Sequence, residues 1–133
     1  MKPETIQHVE TAARNRDLAR ALINQGSGMG LRTPPFEWVA GVAFYSAVHY
    51  VNGLLWEWRS IKPDTHTERN WYLDNHPPLS AFKLDYRLLN SHGWSARYAP
   101  GYRLLPHQAQ ALVDVNLDQI EATICSALGI SPF

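Results

Sequence analysis

The sequence predicts an all-α fold, a single helical bundle of about five helices spanning residues 1–133. Three observations carry this. Apolar residues recur at helical spacing in five stretches, glycine and proline separate those stretches, and none alternates strictly for long enough to make a strand. A chain of 133 residues is one domain's worth and can bury a core without disulfides or metals.

The elements follow in order. The first helix runs from about Pro3 to Gln25, with proline near its start and the glycines of GSGMG (26–30) as its stop. Its apolar arc is broad, with Arg16 and Arg20 at the edge, which predicts a helix less buried than the second. The second helix opens at Pro34-Pro35 and continues to about Arg59. It holds a run from Trp38 to Trp56 without Asp, Glu, Lys or Arg. Such a run resembles a membrane span, but Tyr45, Ser46, His49, Tyr50 and Asn52 inside it are costly among lipid tails, so a buried bundle helix is expected. Tyr45, His49, Asn52 and Trp56 form a polar-aromatic stripe along it, suited to lining a pocket or to bonding neighbouring helices.

A third helix is expected from about Thr65 to Asn75, stopped by Pro77-Pro78, which disfavours helical geometry at His76. The fourth places Leu79, Phe82, Tyr86 and Leu89 on one face and meets Gly93, with SARYAPGYRL read as a helix end followed by a loop. The fifth, from about Pro106 to Leu128, has Val113, Leu117, Ile120, Ile124 and Leu128 at helical spacing and ends at Gly129.

Twelve basic residues balance twelve acidic ones, so no overall basic excess is present to hold nucleic acid non-specifically. The charge is uneven, however. Residues 57–103 carry Arg59, Lys62, Arg69, Lys83, Arg87, Arg97 and Arg103, whereas nothing after Arg103 is Lys or Arg. The central third is therefore where an anionic ligand is sought. A lone Cys125 within an apolar pattern reads as a buried hydrophobe, which together with the lack of a secretory h-region predicts a cytoplasmic protein.

Several chemistries lack their signatures. GSGMG has neither the preceding strand nor the lysine of a phosphate-binding loop. The histidines at 8, 49, 66, 76, 92 and 107 include no H-x-x-x-H pair, so neither a metal site nor a cofactor is expected. No serine or cysteine nucleophile signature is present. What remains is ERNWYLDNH (68–76). At about 100° per residue, seven steps bring Arg69 and His76 to within about 20° on a continued helix. His66 lies on the same face one turn earlier and Asn70 flanks Arg69. An exposed basic helix face capped by Asp64 or Thr65 gives the same pattern.

Arg69-Asn70 followed by His76 resembles the motif of the HEPN superfamily, an arginine and a histidine separated by four to six residues. AFYSAVHYVNGLL (43–55), THTERN (65–70) and SARY (95–98) resemble small stand-alone bacterial HEPN-type proteins. The resemblance covers residues 35–100 and implies an α-helical, dimeric protein that cleaves RNA without a metal. In that role Arg69 is the phosphate clamp, His76 the proton-transfer group and Asn70 their polar support. His66, Tyr45 and His49 are expected to contact substrate. RNA carries its own nucleophile, the 2′-hydroxyl, so a cation and a proton acceptor suffice for cleavage. The resemblance also implies a toxin or defence role with a protein or antitoxin partner. The other reading is a non-catalytic HEPN-like module that binds a protein or nucleotide partner.

Overall fold

The computed structural model describes residues 1–132 as an all-α single-domain bundle with no strand among them. Its elements are α1 (Pro3–Gln25), α2 (Phe36–Arg59), α3 (His66–Asn75), α4 (Lys83–Tyr98), α5 (Pro106–Ala111) and α6 (Asp118–Leu128). Short 3-10 turns at Gly26–Gly28 and Leu79–Phe82 lead out of α1 and into α4. A π-helical segment, Leu112–Leu117, joins α5 to α6, so the predicted fifth helix is one continuous helix with a widened middle.

α1 and α2 pack as an antiparallel pair. The Lys2 backbone N–H donates to Glu57 at 2.9 Å at one end, and the Ser46 hydroxyl donates to the Ala12 carbonyl at 2.7 Å near the middle. Gly53 permits this closeness, since a Cβ there would stand 3.3 Å from the His8 Cβ. α2 is the central helix: fourteen of its residues are buried, against six of α1, as its lack of charge predicts. No helix among the described residues is long and apolar enough to cross a membrane. α2 ends as Ser60 turns left-handed (φ 52°) and its N–H bonds the Trp56 carbonyl at 2.9 Å.

α4 crosses α2 at Gly93, where an added Cβ would lie 3.2 Å from the Phe44 Cβ and 3.5 Å from the Ala40 carbonyl. α6 closes the bundle. Its Glu121 is buried and accepts hydrogen bonds from Arg16 of α1 and Tyr50 of α2. Arg16 is therefore not at the edge of an apolar arc, as its spacing suggests; it is 4% exposed and paired to Glu121 and Asp17. Burial works against its charge, but the bonds from Glu121 and Asp17 outweigh that and raise its pKa. Burial, then Glu121, pushes the Tyr50 phenol well above its ordinary range. The same pair of causes pushes the buried Cys125 thiol up to about 11.

Candidate functional site

The site grows from the start of α3. Thr65 is its N-cap, its hydroxyl accepting from the Glu68 N–H at 3.1 Å, while Glu68 reaches back to the Asp64 N–H at 2.8 Å. This clasp places His66 at the first helical position and Arg69 one turn later, facing α2. Arg69 is 6% exposed. Its Nε donates to the Asn52 Oδ1 at 3.0 Å, and its Nη1 donates to the His66 Nδ1 at 3.1 Å. Because Arg69 can only donate, His66 must accept at Nδ1 and carry its proton on Nε2. Burial, Arg69 and Arg97 all lower the His66 pKa and keep it neutral.

Arg69 has no carboxylate partner. The ion pairs among the described residues join Arg16 to Asp17 and Glu121, and Arg87 to Asp74. A buried guanidinium held only by neutral groups leaves an uncompensated positive charge, an arrangement favourable to an anion. The Tyr86 hydroxyl beside it is fully buried without a well-formed hydrogen bond, and burial raises its pKa against the opposing charge of Arg69.

The other predicted residues spread around this hub. His49, one turn before Asn52 on α2, faces His8 of α1 with Nδ1 atoms 3.0 Å apart. Tyr45 is exposed; its hydroxyl accepts from Arg97 at 3.4 Å, and that guanidinium lies 5.6 Å from the Tyr45 ring centre and 5.4 Å from that of Tyr98. Asn70 flanks Arg69, but its buried Oδ1 has no hydrogen-bond partner.

His76 does not join Arg69. α3 stops at Asn75 and His76 is extended (φ −122°, ψ 111°), its N–H bonding the Tyr72 carbonyl at 2.9 Å. Its ring rests 5.4 Å from that of Trp71 and 5.3 Å from that of Tyr72. The convergence expected of a continued helix fails because Pro77 draws the preceding residue out of helical geometry.

Sequence reasoning passed over His8, Lys62 and Arg97 as site residues. His8 and His49 line a cleft of about 470 Å³ with Trp56 and Lys62. Nothing within α1 marks His8, because its partner is on another helix; Arg97 carried a signal only as part of SARY. No group of three side chains able to hold a metal occurs among the described residues. Comparison with protein-family models, with curated proteins and with solved structures finds no match to this chain.

Proposed function

We propose that the chain is a metal-independent, HEPN-like endoribonuclease in which Arg69 clamps the scissile phosphate and the 2′-hydroxyl of the RNA is the nucleophile. The observation that carries this reading is the buried Arg69 guanidinium without a carboxylate, oriented by Asn52 and His66. Such a group is preorganised to meet charge developing on phosphate, while the His66 Nε2–H provides a second donor on the same side. The expected products are a 2′,3′-cyclic phosphate and a 5′-hydroxyl end. His76 serves proton transfer in this reading when a second copy of the chain brings it to the cleft, as a two-fold dimer about the 66–76 segment allows.

A second reading has its own observation. The separation of His76 from Arg69, and the low exposure of Arg69, suit a non-catalytic helical module that binds a protein or nucleotide partner. Incubation of purified chain with single-stranded and looped RNAs in the presence of chelator separates the two. Cleavage that depends on Arg69 supports the nuclease, and intact RNA across varied substrates supports the module.

A further inference from the structure

The cleft between α1 and α2 is not used by the Arg69 cluster. His8 and His49 face each other there through their Nδ1 atoms at 3.0 Å, and neither Nε2 hydrogen-bonds to protein among the described residues. A hydrogen bond between two Nδ1 atoms needs one with a proton and one without. In the neutral pair the histidine that donates has a bare Nε2, and the histidine that accepts carries its proton on Nε2. The two rings therefore offer opposite chemistries at their far ends, one acceptor and one donor.

We propose that this cleft is a binding site for a phosphate monoester of mononucleotide size, held by the His8–His49 pair and Lys62. A phosphate monoester in its monoanionic form has one O–H and several acceptor oxygens, which matches a bare Nε2 beside an Nε2–H. Lys62 lines the same cleft, is exposed and makes no ion pair among the described residues, so its ammonium is free to meet the phosphate. Trp56 gives the lining its one large aromatic surface. Glu4 is the single acid there, and its Oε2 accepts from the Trp56 indole N–H at 3.3 Å. The volume of about 470 Å³ falls within the usual range for small-molecule sites, roughly 300–1,000 Å³.

The surroundings favour an anion over a cation. Burial lowers both histidine pKa values, with Lys62 and Arg69 adding to the effect on His8, and His8, Arg69 and Arg14 on His49. Lys62, Arg69 and Arg14 thus outnumber Glu4 around the pair. A bound phosphate reverses this field, draws a proton onto the pair and couples binding to proton uptake.

Calorimetric titration of the full chain with inorganic phosphate, AMP and adenosine tests the proposal. AMP and phosphate should bind, with proton uptake seen as a heat that depends on the buffer's ionisation enthalpy, while adenosine binds far more weakly. Lys62→Gln and His8→Gln should each weaken AMP binding about tenfold, the loss of one charge-assisted contact. Equal binding of adenosine and AMP, no binding of AMP or phosphate at millimolar concentration, or unchanged AMP affinity in folded Lys62→Gln protein overturns it. Lys62 is exposed, so its variant reports even if His8→Gln fails to fold. The site is independent of RNA cleavage: Arg69 variants test that activity, and its absence leaves the cleft's titration unchanged.

Discussion

Tyr50 and Glu121, 71 positions apart in the chain, are joined by a hydrogen bond in the middle of the bundle, with Arg16 on the same carboxylate. Three helices are thereby tied to one side chain that is 5% exposed. Removing that carboxylate strands a buried guanidinium and a buried phenol. Glu121→Ala should therefore lower the unfolding free energy by about 3–5 kcal/mol, the usual cost of breaking a buried pair. Chemical denaturation followed by circular dichroism measures this, and a loss below about 1 kcal/mol would show that water reaches the triad.

Stability should fall in mild acid. His8, His49, His66 and His92 all have folded pKa values below the ordinary 6.5, with burial the leading cause in each. The unfolded chain then binds more protons than the folded one, so this contribution is complete above about pH 6.5 and declines as pH drops through the folded values. Melting temperature measured against pH should show the decline, and replacing His8 or His49 with Gln should make it shallower. A flat profile between pH 7 and 5 would contradict the neutral pair.

Gly93 should resist enlargement. With 3.2 Å between its notional Cβ and that of Phe44, alanine is barely accommodated and valine forces α4 away from α2. Gly93→Val should cost about 1–3 kcal/mol, as overpacking does. A thermal melt unchanged from the wild type would mean that the crossing can open.

On RNA, Arg69→Lys should reduce cleavage by roughly a hundredfold, because an ammonium keeps the charge but cannot bridge Asn52 and His66 as the guanidinium does. His66→Gln should also slow the reaction, and His76→Ala should do so only in the dimer. Matched circular dichroism spectra establish that the variants are folded. If folded Arg69→Lys protein cuts at the wild-type rate, Arg69 is not the clamp.

Trp71, 55% exposed and packed beside His76, gives the 66–76 segment an apolar outer face. Sedimentation at micromolar concentration should show a dimer that Trp71→Lys converts to monomer. A wild-type monomer under those conditions removes the dimeric arrangement of the site.

The five helical stretches were legible because each is bounded by residues with a local mechanism. Pro3 starts α1, Thr65 caps α3 and Gly129, at φ 71°, ends α6. The buried α2 followed from its lack of charge. The face shared by His66 and Arg69 was also legible, since both lie within one short helix. The His8–His49 pair was not, because it depends on the antiparallel register of two helices, which no single helix encodes. Arg16 was misplaced for a related reason: a basic residue on an apolar arc reads as its margin until the acid on α6 is known. His76 was projected on a helix that the following proline ends. The HEPN resemblance rests on short motifs, and their spacing does not determine where side chains meet.

The π-helical segment at Leu112–Leu117 has a consequence for length as well as shape. Each of its bonds reaches one residue further than an α bond, so the segment holds a surplus residue between α5 and α6. That surplus acts as an angular spacer of about 100°. Deleting Val115, which is 62% exposed and contributes little packing, would let the helix wind evenly but rotate everything beyond it by about that angle. Glu121 would then swing away from Tyr50 and Arg16, so a residue with almost no contacts of its own sets the phase of the buried carboxylate on which three helices meet.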